Sequence, residues 1–200
     1  MISSGRGAGG FSLTELLVTL ALVGLFVVAA APALGGALSR GRVAAAARDL
    51  AGEFARLRST AVVSHRRVGL RLTWSGDRYS YGEYVDGDGD GIRTDDIASG
   101  RDRLVGALRD LPSRYSGIDF GLLADAVPAI PPRRGVLAPH DDPVRFGRSD
   151  IVTFTPGGTA SSGTLYISDG RESLMAVVLY GRTGRIRVWR FDRSSWMWRR

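Results

Sequence analysis

The stretch Gly10-Phe11-Ser12-Leu13-Thr14-Glu15-Leu16-Leu17 opens a long apolar run near the start of the chain. From Leu16 to Leu38 no side chain is charged. A helix of about 20 apolar residues, rising 1.5 Å per residue, is long enough to cross a bilayer. The run therefore predicts that residues 11–38 form a transmembrane helix.

Glu15, at the head of this run, is its most informative side chain. A charge in hydrocarbon is costly, so it indicates a function and a cationic partner. Two other interpretations are a secretory signal peptide, with small residues for cleavage at 29–31 and 33, and an ordinary single-span anchor. Signal cores span about 7–15 residues. This run is longer, carries a carboxylate in its first turn, and continues into a helical pattern beyond Leu38.

These residues resemble the signal of type IV prepilins and type II secretion pseudopilins. Residues 1–10 match the short, hydrophilic, slightly basic leader of that family. The resemblance implies that a prepilin peptidase cuts after Gly10 and N-methylates the new N-terminal residue, Phe11. Glu15 is then the fifth residue of the mature chain, where the family carries its glutamate, and Pro32 falls where many pilins have a helix-breaking proline.

Physical chemistry supports the assembly role that the resemblance gives to Glu15. Cleavage after Gly10 leaves a free amine on Phe11, which can pair with the Glu15 carboxylate of a neighbouring subunit in a fibre. An unpaired charge in a low-dielectric core is strongly unfavourable, so this pairing penalises misplaced subunits. Pro32 lacks a backbone N–H and is expected to kink the helix.

Composition limits the part of the chain beyond the apolar run. With 200 residues in all, only one modest domain remains. Because there is no cysteine, disulfides, cysteine-ligated metals and thiol nucleophiles are excluded. The net charge is +7 and all 27 basic residues are arginine, so the surface is expected to attract polyanions such as DNA, or anionic lipid.

Residues 39–66 have the pattern of an amphipathic helix, continuous with the apolar run. Apolar residues recur at three- and four-residue steps, which predicts a stripe packed on a sheet: Val43, Ala46, Ala47, Leu50, Phe54, Leu57 and Ala61. Residues 67–200 are assigned to a β domain. The predicted fold class is therefore α+β and pilin-like, with a long N-terminal helix on an antiparallel sheet.

The β domain is predicted from alternation and turn signals. Val68–Trp74 and the segment from Tyr79 to Val85 flank Ser75-Gly76-Asp77, which predicts a hairpin. Further strands are predicted at residues 151–154, 164–168, 174–180 and 185–191. Residues 100–147 are the least regular part and are assigned to a variable loop region, with a strand or short helix at 104–111.

Two further segments resemble the GspH/FimT branch of the pseudopilins. One is Arg66-Arg67-Val68-Gly69-Leu70, directly after the helix. The other is Thr183-Gly184-Arg185-Ile186-Arg187, which comes after a strand, a Pro-Gly loop and another strand. The resemblance extends over essentially the whole chain and is weakest between residues 100 and 147.

An aspartate-rich segment begins at Asp86 and matches the first half of an EF-hand-like loop, D-x-D-x-D-G. Its twelfth position is Ile97 instead of glutamate, so Asp95 or Asp96 would have to substitute in a calcium site. The alternative is a solvated Asp/Gly turn between strands. The candidate calcium ligands are Asp86, Asp88, Asp90, Asp95 and Asp96.

Arginines near the C-terminus form a candidate DNA-binding segment. Alternation puts Arg185, Arg187, Trp189 and Phe191 on one strand face and Arg190 on the other. Guanidinium groups beside aromatic rings suit a DNA backbone and its bases. Some FimT-like minor pilins are linked to DNA uptake through a Gly-Arg-x-Arg segment, which Gly184-Arg185-Ile186-Arg187 resembles. The alternative is a structural hairpin with solvated arginines. The candidates are Arg182, Arg185, Arg187 and Arg190.

Together these features predict a structural subunit and not an enzyme, since His65 and His140, the only histidines, belong to no catalytic cluster. The first hypothesis is a minor pseudopilin that assembles into or primes a type II secretion pseudopilus, with other pseudopilins and prepilin peptidase as partners. The second is a minor type IV pilin that binds DNA or promotes pilus initiation. The third is a membrane-anchored, calcium-dependent binding module or enzyme. The expected location is the inner membrane, single-pass, with a periplasmic C-terminal domain.

Overall fold

A computed structural model describes residues 12–131 and 135–200, without the side chains of residues 29–34. The chain divides into two compact units, Met1–Leu38 and Ser39–Arg200. The elements in chain order are α1 Leu13–Ser64, β1 Val68–Trp74, β2 Tyr79–Val85, α2 Thr94–Ser99, β3 Arg103–Asp110, β4 Asp119–Phe120, β5 Val127–Pro128, β6 Val136–Leu137, β7 Val144–Arg145, β8 Ile151–Phe154, β9 Gly163–Ser168, β10 Leu174–Tyr180, β11 Arg185–Asp192 and β12 Met197–Arg199.

The strands form three antiparallel sheets, and the class is α+β as predicted. The first sheet has the order β3-β2-β1-β8, and the second has the order β12-β11-β10-β9-β4 with β7 also paired to β9. The third consists of β5 and β6. The predicted hairpin is confirmed, since β1 and β2 pair from Val68 opposite Val85 to Trp74 opposite Tyr79.

The predicted helical stripe forms the centre of the main core. All seven stripe residues are buried, and Phe54 is fully so. Its ring lies 6.2 Å from that of Phe146 and 5.8 Å from that of Phe154, as centroid distances. The same cluster includes residues of both large sheets, such as Leu70 and Val177. The periodicity of α1 therefore positions both sheets against one helix face.

The region assigned to variable loops contains more structure than its sequence indicates. Residues 104–111 lie largely in β3, an extended edge strand of the first sheet. Strands β4 to β7 are only two residues each, and β12 is the edge strand of the second sheet beside β11. A second core lies over this sheet, where the Trp198 indole N–H donates to the Pro128 carbonyl at 2.8 Å. Such short strands are held by their neighbours, which local propensity does not reveal.

The unit Met1–Leu38 contains the first half of α1, and its described large apolar side chains are exposed, such as Phe26 at 72%. Within the described ranges, we find no helix with the combination of length and apolarity that a membrane crossing requires. Gly10 and Phe11 lie outside the described residues, as does the side chain of Pro32.

Candidate functional site

Three of the four candidate DNA-binding arginines lie together. Arg182, Arg185 and Arg187 line one groove of about 650 Å³ at the β10–β11 turn. Arg200 joins them from the last residue of the chain, and its guanidinium lies 4.7 Å from the centre of the Trp189 ring. The groove thus collects four cations. Arg200 was absent from the sequence-based candidates, because its position depends on how β12 pairs with β11.

The turn that carries these arginines depends on close backbone packing. Gly184 has φ +58°, and a Cβ there would lie 2.3 Å from the Gly158 carbonyl oxygen and 2.7 Å from the Arg58 Nε. Arg58, on α1, donates its Nε–H to that same carbonyl at 3.1 Å. Glycine is the residue that accepts both the left-handed conformation and the close approach. The helix therefore fixes the turn from which Arg185 projects.

The charges of the groove are free to bind an anion. Among the residues that the structure describes, no carboxylate is ion-paired with Arg182, Arg185 or Arg187. The predicted aromatic partners are placed differently, because Trp189 and Phe191 are buried in the second core and cannot stack on a base. Binding here would therefore rest on the phosphate backbone, which gives affinity without sequence preference.

Arg190 does not belong to this groove. It projects from the opposite face of β11, as the alternation predicts, and lines a separate slot beside α1 with Arg40 and Arg48. The sequence-based set of four arginines is thus divided by the structure between two surfaces.

The acidic segment brings aspartates together, including one that the sequence motif misses. Carboxylate oxygens of Asp86, Asp88 and Asp102 lie within 4.8 Å of one another, and so do those of Asp88, Asp90 and Asp96. Asp95, a predicted ligand, is exposed and belongs to neither group. Asp102 lies beyond the twelve-residue motif and reaches the loop only because the chain folds back after α2, so no spacing rule identifies it.

Two of the buried carboxylates, those of Asp86 and Asp102, hold the shape of the loop. Asp86 accepts hydrogen bonds from the backbone N–H groups of Asp88, Gly89 and Gly91, at 3.2, 2.7 and 2.9 Å. Asp102 accepts from the N–H groups of Gly87 at 3.1 Å and Arg93 at 2.9 Å. These bonds satisfy donors that the irregular backbone leaves unpaired.

Arginines neutralise much of this acidic charge. Arg93 pairs with Asp90 at 2.7 Å, and Arg101 pairs with Asp96 at 2.7 Å and approaches Asp88 at 3.9 Å. Desolvation and the neighbouring Asp88 raise the pKa of Asp90. An all-oxygen donor set suits Ca²⁺, so the residues fit that ion in kind, but Arg101 would have to move away from two of the candidate ligands.

Glu15 lies in the first turn of α1, and its side chain is exposed. No ion pair involving Glu15 is found within residues 12–131 and 135–200. Its carboxylate is therefore available to a group from outside this part of the chain.

A long helix whose amphipathic half packs on antiparallel sheets is the architecture of pilin-like proteins. The model of one protein family, type II transport protein GspH, matches residues 46–184. Because the match covers more than half of the chain, the protein belongs to the GspH family. No curated protein and no solved structure matches the chain significantly.

Family membership establishes the general role. GspH proteins are minor pseudopilins of type II secretion, structural components that associate with other pseudopilins at the cell envelope. The match begins at Ala46 and ends at Gly184. The N-terminal motif and the arginines of β11 both lie outside it.

Proposed function

We propose that this GspH-family protein is cleaved after Gly10, methylated on Phe11, and assembled into or used to prime a type II secretion pseudopilus. In this proposal residues 11–38 anchor it in the inner membrane before assembly and the β domain lies in the periplasm. The observation that carries it is the family match over residues 46–184. The Gly-Phe-x-x-x-Glu spacing at residues 10–15 adds the processing step.

Assembly in this proposal depends on Glu15. Once apolar helices surround it in a fibre, its carboxylate has no water to solvate it, and the Phe11 amine of a neighbour supplies the compensating charge. The exposed position of Glu15 in the single chain agrees with a partner that comes from another subunit.

The processing step is tested by mass spectrometry of the protein isolated from cells with and without active prepilin peptidase. We expect a mature chain beginning at methylated Phe11, and the full leader when the peptidase is inactive. A mature N-terminus at any other residue would refute it.

The assembly step is tested with Glu15→Ala against Asp77→Ala, which removes an exposed carboxylate elsewhere. We expect only Glu15→Ala to be lost from sheared pseudopilus fractions, while both chains remain in the membrane. Normal incorporation of Glu15→Ala would show that the amine–carboxylate pair is not needed.

DNA binding is the second candidate function, in a minor type IV pilin. It is favoured by one observation, that Arg182, Arg185 and Arg187 line a common groove without ion-pair partners among the described residues. Each phosphate contact adds close to one unit to the slope of log affinity against log salt.

We therefore expect the Arg185→Ala, Arg187→Ala double variant to bind duplex DNA more weakly and with a slope smaller by about two. Arg148→Ala, which removes an exposed arginine elsewhere, is the control. Equal affinity and slope for all three proteins, measured by fluorescence anisotropy across a salt series, would exclude this function.

A further inference from the structure

A slot between α1 and the second sheet has features of a binding site that neither the pseudopilin role nor the DNA hypothesis uses. It measures about 160 Å³, and its walls include the buried side chains of Val43 and Met175. Arg40, Arg48 and Arg190 stand around it. We name it the basic slot.

The cations of the basic slot lack partners. The structure pairs none of Arg40, Arg48 and Arg190 with a carboxylate in the part of the chain that it describes, and all three are exposed. Glu172 is the one acidic residue on the slot lining, so positive charge prevails there. An anionic group would gain ion pairs without displacing an existing one.

The slot lining also includes a buried hydroxyl group that has no hydrogen-bond partner among the described residues. This group is the Oγ–H of Ser173, which is only 8% exposed. A buried polar group without a partner is unfavourable. An incoming carboxylate would accept a hydrogen bond from this hydroxyl, so the slot offers both charge and a specific donor.

The same chain carries a complementary surface. Residues 86–102 contain six aspartates and two arginines, whereas the whole chain has a net charge of +7. Asp95 in this acidic loop is exposed and, within the described ranges, has no ion pair. An unpaired carboxylate on one surface thus matches unpaired guanidinium groups on another.

The two surfaces cannot meet within one molecule. The basic slot lies beside Ala44, while the acidic loop is tied by the Arg67–Asp86 ion pair to the residues just after Ser64. At 1.5 Å per residue, Ala44 and Ser64 are roughly 30 Å apart along the helix. Any contact between slot and loop must therefore be made between two chains.

We propose that the basic slot of one copy receives the acidic loop of a second copy, with Asp95 directed toward Arg40, Arg48 and Arg190. Because slot and loop are different surfaces, the contact between the two copies is heterologous. It needs neither the Phe11 amine nor Glu15, so it is separable from the proposed assembly step. Exposed ion pairs are individually weak, so the contact forms where copies are concentrated.

The absence of native cysteine makes cross-linking a direct test. One full-length chain carries Glu172→Cys at the slot, and a second carries Ala98→Cys, one helical turn from Asp95. Each chain has its own tag, and the two are mixed in detergent and oxidised. We expect a mixed disulfide dimer, suppressed in 1 M salt by screening. Arg148→Cys replaces Ala98→Cys in the control mixture, since Arg148 is exposed and outside both surfaces.

Charge reversal tests specificity. Arg48→Glu with Arg190→Glu in the slot chain is expected to lower the dimer yield at least tenfold, and Asp95→Arg in the loop chain to restore much of it. Circular dichroism verifies that each variant is folded. Equal yield in the control mixture, or no rescue by Asp95→Arg, would each overturn the second-copy contact. Glu15→Ala chains should cross-link normally, which separates this test from that of the assembly step.

Discussion

Replacing Gly184 by alanine tests how α1 shapes the arginine groove. The substitution forces an L-residue to φ +58°, which costs about 1–2 kcal/mol. It also places a methyl group 2.3 Å from the Gly158 carbonyl oxygen, which is backbone and must shift. That shift disturbs the hydrogen bond from Arg58, whose loss adds about 1 kcal/mol. We expect a total destabilisation of roughly 2–4 kcal/mol.

Two other glycines separate the contributions. Gly170 has φ +71° with nothing within 4 Å of a Cβ, so Gly170→Ala should show the conformational cost alone. Gly181 has no left-handed φ, but a Cβ there would lie 2.3 Å from the Ala160 carbonyl oxygen, so Gly181→Ala should show the steric cost. Urea unfolding followed by tryptophan fluorescence measures all three. If Gly184→Ala destabilises the fold no more than Gly170→Ala does, this turn does not pack closely on Arg58 and Gly158.

Three further predictions concern stability. Phe54→Ala should destabilise the fold by about 3–5 kcal/mol in urea unfolding, because a fully buried ring between two others is lost. Val63 is exposed, so Val63→Ala should change the stability little. Similar destabilisation by the two variants would contradict the core assignment. Burial and the nearby Asp142 raise the pKa of Asp150 to about 6, so its stability penalty appears as pH rises from about 4 through 6. Asp150→Asn should therefore raise the stability at pH 7 by about 1 kcal/mol, after allowance for solvent screening, and have no effect at pH 3. A gain in stability that persists at pH 3 would refute the raised pKa of Asp150 as its cause. Ca²⁺ is expected to raise the melting temperature of the chain, by the equivalent of about 2.7 kcal/mol at a hundredfold excess over Kd. Asp88→Asn removes the carboxylate shared by both aspartate groups and should abolish this shift. An unchanged melting temperature of the wild-type chain would rule out the calcium site.

Local sequence patterns predicted the elements that build the main core. The stripe of α1 was identified residue by residue, because a 3.6-residue period is visible directly in the order of apolar side chains. The β1–β2 hairpin was equally accessible, since alternation and a Ser-Gly-Asp turn lie within one short segment. The two-residue strands β4 to β7 and the edge strand β12 were missed. Strands β4 and β7 are held by β9, which is distant in the chain, and β5, β6 and β12 are too short for alternation to reveal them.

The candidate sites were predicted only in part, for the same reason. The sequence identified the acidic segment but included Asp95, which is exposed, and missed Asp102, which the fold brings back to Gly87. Among the arginines, pairing of β12 with β11 adds Arg200 to the groove, and the direction of Arg190 assigns it to the basic slot.

The sequence by itself determined the amphipathic helix, the order of the main strands and the basic, cysteine-free composition. It also predicted the N-terminal processing motif. These are properties of neighbouring residues, so they need no knowledge of packing. Only the tertiary structure decided which charged groups are paired and which are free, and which aromatic rings are buried. Many of those outcomes depend on contacts between residues tens of positions apart, which form only when the helix and the sheets pack together.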